Sequence, residues 1–149
     1  MAIIRQALEK DIPRILELYA QLYLDLQKKY VPASLYDCTK VFRKMNEYPN
    51  YHLLVAEDGG VVVGTLVLVI LPAFCHGSSS FAVVEYVVVD EKYRSKGTGR
   101  LMMEAVKSYA KTAGCYKIIL TSDKRRERAH KFYKSVGFEA SAEGFRFYF

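Results

Sequence analysis

The chain has 149 residues and a mass of 17.0 kDa, the size of one domain and enough to bury a core without metals or disulfides. Hydrophobic residues make up 51% and charged residues 26%, which excludes a disordered or collagen-like chain. Lys and Arg number 22 against 16 Asp and Glu, and the net charge of +6 suits an anionic partner: nucleic acid, a membrane surface or a phosphorylated ligand.

In chain order, residues 3–7 read as a first strand. Asp11 then stands as a helix N-cap, with Pro13 in the first turn. Ile12, Ile15, Leu16, Tyr19, Leu22, Tyr23 and Leu26 recur at helical spacing, and Pro32 closes this segment. Ser34 caps a second expected helix, with Leu35, Cys38, Val41, Phe42 and Met45 as its apolar stripe and Pro49 as its stop. Residues 52–57 and 61–71 are rich in β-branched and apolar side chains, and the turn Asp58-Gly59-Gly60 joins them as a hairpin. Residues 72–80 read as a loop and 81–89 as a strong strand. Residues 99–112 form an amphipathic helix closed by Gly114. A strand at 116–121 and a helix at 127–136, ended by Gly137, follow. The last residues, GFEASAEGFRFYF, read as two short strands around Glu143-Gly144. The order β-α-α-β-β-β-α-β-α-β-β predicts an α/β (α+β) fold, a mixed sheet with helices on its faces, in one domain over residues 1–149.

Cys38, Cys75 and Cys115 are odd in number and show no CxxC spacing, so neither a disulfide framework nor a zinc site is expected. His52, His76 and His130 are scattered, and no metal is expected. The first residues, MAIIRQALEKD, carry charges where a signal peptide needs its apolar stretch, and no apolar run reaches the roughly 20 residues of a membrane span. The expected location is cytoplasmic, without a membrane partner.

The chemistry concentrates where a valine strand meets a helix: Val87-Val88-Val89-Asp90-Glu91-Lys92-Tyr93-Arg94-Ser95-Lys96-Gly97-Thr98-Gly99-Arg100. Backbone N–H groups at such a turn point outward, and the helix dipole adds positive potential. Gly97 and Gly99 let a phosphate approach the backbone, and Arg94, Lys96 and Arg100 add cations. The dinucleotide pattern GxGxxG fails at Met102, and GxxxxGK[ST] is absent. An ordinary strand–turn–helix connection with two glycines is the bland alternative.

The run Arg94-Ser95-Lys96-Gly97-Thr98-Gly99 resembles Arg/Gln-x-x-Gly-x-Gly/Ala, the acetyl-coenzyme A signature of the GNAT superfamily of N-acetyltransferases. Residues 129–138, AHKFYKSVGF, resemble that family's second signature, a helix with a Phe-Tyr pair before Gly-Phe. The resemblance covers nearly the whole chain. It implies a mixed, mostly antiparallel sheet of about seven strands flanked by about four helices. It also implies acetyl-CoA as co-substrate, with Val87, Val88, Val89, Arg94, Ser95, Lys96, Gly97, Thr98, Gly99, Arg100 and Phe132 around it. In the family the strand before the signature splays from its neighbour, often at a β-bulge, and the pantetheine arm pairs with the exposed main chain. Here Val87 and Val89 would supply that pairing, by strand addition.

An amine acceptor is mostly protonated at neutral pH and needs a base. Glu85 interrupts an apolar strand, which predicts burial, the condition under which a carboxylate becomes a stronger base. Some small-amine acetyltransferases that the chain resembles place a catalytic Glu four residues before the position matching Val89. Solvent exposure is the alternative for Glu85. Tyr133 matches the family's frequent general acid, which would protonate the coenzyme A thiolate. Ala129, Phe132, Tyr133 and Val136 also form an apolar helical stripe, so a core role competes. The N–H of Val87 would stabilise the oxyanion.

Many relatives carry Asn between the last strand and the second-signature helix, where this chain has Thr121-Ser122-Asp123-Lys124-Arg125-Arg126-Glu127-Arg128. Ser122 or Asp123 would have to substitute. Residues 90–100 carry +2 and residues 123–134 carry +4, together equal to the whole net charge. Steering of polyanionic coenzyme A explains this, and a solvated helix face explains part of it. Tyr19, Tyr23, Asp25, Tyr30 and Tyr36 lie where the family builds its acceptor pocket. The leading expectation is an acetyl-CoA-dependent N-acetyltransferase acting on a small-molecule or peptide amine, in a family where homodimers are common. A catalytically silent acyl-CoA-binding regulatory module and a basic nucleic-acid-binding domain compete with it. No nucleic-acid motif accompanies the short basic run, so no nucleic-acid partner is expected.

Overall fold

A computed structural model describes residues 1–149. The strands are β1 (Ile3–Gln6), β2 (Tyr51–Asp58), β3 (Val61–Leu71), β4 (Ser80–Val89) and β5 (Cys115–Leu120). The helices are α1 (Ile12–Asp25), α2 (Leu35–Met45), a short kinked α3 (Cys75–Ser78), α4 (Thr98–Thr112) and α5 (Glu127–Ser135). The strands form one mixed sheet in the order β1-β2-β3-β4-β5. Its first three pairings are antiparallel, while β4 and β5 run parallel, joined through α4. No helix is long and apolar enough to cross a membrane.

Side chains alternate across the central strands, so the sheet separates two apolar layers. Leu54, Ala56, Val63, Leu66 and Leu68 face α4 and α5, where they meet Met102, Met103, Val106 and Tyr133. Leu53, Val55, Val67 and Val88 face α1 and α2, against Ile12, Ile15, Leu18, Leu22 and Phe42. Both faces of β2 and β3 are therefore covered, which is why these strands read as nearly unbroken apolar runs.

Several expectations are corrected. The sheet has five strands, not about seven, because residues 138–149 form neither helix nor strand. There are five helices, because α3 occupies part of the expected loop at 72–80. Asp11 does not cap α1 with its side chain; it ends a 3-10 turn, accepts the Leu8 N–H at 2.8 Å and pairs with Arg5 at 2.6 Å. Ser34 does cap α2, accepting the Asp37 N–H at 3.0 Å. On α1 the stripe gains Leu18, which is fully buried. On α2 only Phe42 is buried, while Leu35 and Val41 stay half in solvent because α2 covers the edge of the layer.

Candidate functional site

Two backbone features open a cleft beside β4. The pairing of β4 with β5 ends at Val84 and Leu120. Beyond that point, β4 has a partner only on its β3 side. In the same stretch β4 spends one extra residue against β3, since Thr65 faces Val88 while Val67 faces Glu85. The extra residue is Tyr86, held at φ 53°, the left-handed geometry of a β-bulge. Its ring packs on Tyr19 of α1, with centroids 5.7 Å apart.

The open edge has a defined polarity. The Asp90 N–H donates to Val63 O at 2.8 Å, toward β3. By the alternation of a strand, the N–H and C=O groups of Val89 and Val87 point the other way, into the gap. Arg94 Nε occupies one of them, donating to Val89 O at 2.9 Å. The main-chain groups of Val87 and the Val89 N–H then line the gap, as strand addition requires.

The floor of the cleft is the turn into α4. Asp90, itself buried, starts a 3-10 turn at Glu91–Tyr93 and accepts the Lys92 N–H at 2.9 Å. Arg14 and Gln21 of α1 also donate to Asp90, and Gln21 Oε1 accepts the Glu91 N–H at 3.1 Å. Burial pushes the Asp90 carboxyl up, but the donors from Gln21, Lys92 and Arg14 outweigh it, and the net shift is downward. Ser95 at φ 61° and Gly97 at φ 89° are both left-handed, which aims successive N–H groups to one side as an anion-binding nest. The first bond of α4 runs from Leu101 N–H to Gly97 O, so the N–H groups of Thr98, Gly99 and Arg100 precede the helical ladder. Gly99 also has a packing reason to lack a side chain: a Cβ there would lie 3.1 Å from Phe132 Cζ. Its absence lets α5 close onto the start of α4.

The resulting cleft has a volume of about 780 Å³. Of the expected residues, it gathers Val87, Val88, Val89, Arg94, Ser95, Gly97, Gly99, Arg100, Phe132 and Tyr133. Lys96, Thr98 and Glu85 do not line it. Lys96 turns to the Tyr93 ring, 5.1 Å from its centroid, and Thr98 is buried beneath the turn. Glu85 is exposed, contrary to the expected burial, because the bulge at Tyr86 displaces the strand just where Glu85 would meet a covering layer. Tyr133 is 8% exposed; burial raises its phenol above the ordinary range, the Glu85 charge adds to this, and Arg126 opposes it. The hydroxyl is protonated at neutral pH, as an unshifted phenol also is.

Sequence reasoning named Asp25 only for the acceptor region and missed that the end of α1, with Asp25, Leu26 and Gln27, lines this cleft. Arg94 holds it by pairing with Asp25 Oδ2 at 2.7 Å, and Arg125 donates to Leu26 O at 3.2 Å. Arg125, Arg126 and Arg128 also line the cleft, and Arg128 donates to Ser95 Oγ at 2.9 Å. The basic run was visible in the sequence, but not its direction. Asp123 is committed to Arg125, which holds its carboxyl well below the usual range, and Ser122 Oγ is buried without a partner. A nest, an open strand edge and a ring of arginines fit a polyanionic cofactor with an amide-bearing arm, as in coenzyme A. No group of His, Cys, Asp and Glu is arranged to hold a metal ion.

Comparison with known proteins agrees with this geometry. The chain is 36% identical over 84 residues to glucosamine 6-phosphate N-acetyltransferase of Trypanosoma brucei brucei, an aligned stretch that is 56% of this chain and 55% of that protein. The chain spans about half the length of the curated relatives it matches. Among solved structures, a transcriptional regulator from Bacillus halodurans C-125 superposes with a TM-score of 0.88 at 30% identity, covering 100% of both chains. Glucosamine-6-phosphate N-acetyltransferase from Arabidopsis thaliana shares the fold with a TM-score of 0.86 at 24% identity, covering 100% of this chain and 99% of that one. The model of the acetyltransferase (GNAT) family matches residues 5–138, and the chain belongs to that family.

Proposed function

We propose that residues 1–149 act as one acetyltransferase unit that moves the acetyl group of acetyl-CoA to a small-molecule primary amine. The observation that carries this reading is the open edge of β4 running straight into the nest at the start of α4. Acetyl-CoA supplies an activated thioester. The nest, Arg100 and Arg128 bind its pyrophosphate, and Val87 and Val89 pair with its pantetheine amides. This places the thioester near Tyr133.

The amine nitrogen attacks the thioester carbonyl, the C–S bond breaks and the thiolate leaves. Val87 N–H donates to the developing oxyanion. Tyr133, protonated at neutral pH like any phenol, passes its proton to the thiolate. Glu85 takes the proton from the amine through water, a route that suits its exposed position. Direct attack in a ternary complex needs no covalent enzyme intermediate. The relatives' names make glucosamine 6-phosphate the first acceptor to test, and a phosphorylated amine suits the positive charge.

The test is thiol release from acetyl-CoA with glucosamine 6-phosphate, glucosamine and a panel of other amines, with thermal unfolding alongside. Saturation at about 100-fold over Kd stabilises a fold by ~2.7 kcal/mol, a shift of several degrees at this size. A shift with turnover supports the enzyme. The Bacillus halodurans neighbour named as a transcriptional regulator favours a second reading, a silent acyl-CoA-binding module. That module would show the shift with no turnover on any amine, and no shift would overturn both readings.

A further inference from the structure

Five arginines line the cleft: Arg94, Arg100, Arg125, Arg126 and Arg128. Four of them are committed to acceptors within the chain. Arg94 pairs with Asp25, and Arg125 pairs with Asp123 at 2.9 Å. Arg100 donates to Ser135 O at 3.3 Å, and Arg128 donates to Ser95 Oγ. The Arg126 guanidinium alone among the five has no hydrogen-bond or ion-pair partner. Its main chain, by contrast, is pinned on both sides. The Arg126 N–H donates to Asp123 O at 3.0 Å, and its C=O accepts the His130 N–H at 3.0 Å. The residue is only partly exposed. A guanidinium drawn partly out of water and left without a partner is costly, and a ligand anion would complete it.

The place of this cation along the cleft is also defined. Arg126 immediately precedes α5, and Tyr133 follows about two turns later on the same helix. The Arg126 charge acts on the Tyr133 phenol, pulling against the rise that burial causes. Arg100 and Arg128 sit elsewhere, with the nest: one is in the first turn of α4 and the other is bonded to Ser95. The nest end of the cleft therefore has its own cations, and Arg126 belongs to the Tyr133 end.

We propose that Arg126 is a catalytic residue of the acetyl transfer, its guanidinium donating to the coenzyme A sulfur as the C–S bond breaks and holding the thiolate until Tyr133 protonates it. This rests on the reading of the cleft as an acetyl-CoA site. The electron pair of the C–S bond passes to sulfur, the Tyr133 proton follows it, and the phenolate left behind regains a proton from water. Arg126 keeps its own proton throughout, since a guanidinium stays charged in proteins. The sulfur of a thioester is neutral and that of the leaving group is anionic. A cation aimed at it therefore acts more on the transition state than on the bound substrate, which is the condition for raising kcat.

The test separates the sulfur from the phosphates. Coenzyme A and its S-ethyl ether carry the same phosphates, but only coenzyme A forms a thiolate, as an ordinary thiol does near pH ~8.5. Calorimetry gives the affinity of both probes at about pH 7 and about pH 9.5. From the lower to the higher pH, the wild type should gain about fivefold for coenzyme A relative to the ether. Comparing two probes cancels the ionisation of protein groups around this end of the cleft: Glu85, Tyr133, and the pairs Asp25–Arg94 and Asp123–Arg125. Arg126→Gln should lose the gain, bind the ether within about threefold of wild type and show a kcat about 10²-fold lower. Arg126→Lys, which keeps the charge, should recover part of both. Equal weakening of the two probes in Arg126→Gln would make Arg126 a phosphate ligand and overturn the proposal. So would a wild type with no gain for coenzyme A, or an Arg126→Gln kcat close to wild type. A wild type without turnover on any amine overturns the acetyl-transfer reading instead, and the probe comparison, which uses no amine, still decides whether Arg126 holds the sulfur.

Discussion

Tyr133 shows how one side chain can serve the core and the proposed reaction together. Its ring packs with Phe132 and Phe138, while the residue also lines the cleft. Tyr133→Phe keeps the packing and removes the proton. The expected result is a fall in kcat of about 10²-fold or more, with acetyl-CoA affinity within about threefold of wild type. Steady-state kinetics beside a binding isotherm check this, and equal losses in kcat and affinity would remove Tyr133 from the role of acid. Gly99 makes a different point at the same scale. Gly99→Ala puts a methyl 3.1 Å from the tip of the Phe132 ring, which has to give by a few tenths of an ångström. Overpacking of this kind costs about 1–3 kcal/mol, so the unfolding midpoint should drop by several degrees and acetyl-CoA should bind more weakly. Calorimetry of the free and liganded variant reads both effects.

At the scale of elements, the cleft depends on α1 as much as on α4. Arg14 and Gln21 tie α1 to Asp90 at the head of the turn, and Asp25 and Leu26 return at the far end to Arg94 and Arg125. Asp90→Asn removes the charged acceptor of that tie. Hydrogen bonds to charged groups contribute about 1.5–3 kcal/mol, so the variant should lose roughly that much at pH 7. The pH dependence has a definite sign. The Asp90 carboxyl is lower when folded than when unfolded, so its contribution is complete above the unfolded value near 4 and fades as pH falls below it. The gap in unfolding midpoint between wild type and Asp90→Asn should therefore be full at pH 7 and narrow at pH 3. A gap that stays constant across that range would show that the carboxylate charge is not what holds the turn.

For the whole molecule, charge placement outweighs charge amount. The net +6 is what the two segments 90–100 and 123–134 carry, and the fold brings both to one cleft through Arg94, Arg100, Arg125, Arg126 and Arg128. Fields of this kind steer anions and are screened beyond about 10 Å at 0.1 M salt. Raising NaCl from 20 to 300 mM, a range spanning that screening regime, should raise KM for acetyl-CoA several-fold and change kcat little. If KM is flat, the arginines serve the ion pairs seen here and not the cofactor.

The sequence alone carried what is local. The turn at 95–100 is a run of consecutive residues whose glycines and cations are legible in the sequence, and both family signatures are short-range patterns. Strand and helix positions followed from the same periodicity, except where a partner decides. The period-two pattern in 138–149 is real, but a strand exists only against another edge, and the chain leaves that segment alone. Glu85 was misjudged for a related reason: a bulge at Tyr86 is a difference in register between two strands, and one strand's residues do not encode it. Asp25 was named only for the acceptor region, and its place with Leu26 in the wall of this cleft was hidden because the contacts span 69 and 99 residues of sequence. Only the closing of α1 and α5 around β4 turns a basic, glycine-bearing turn into a cleft, because a cleft is a property of surfaces that meet from distant parts of the chain.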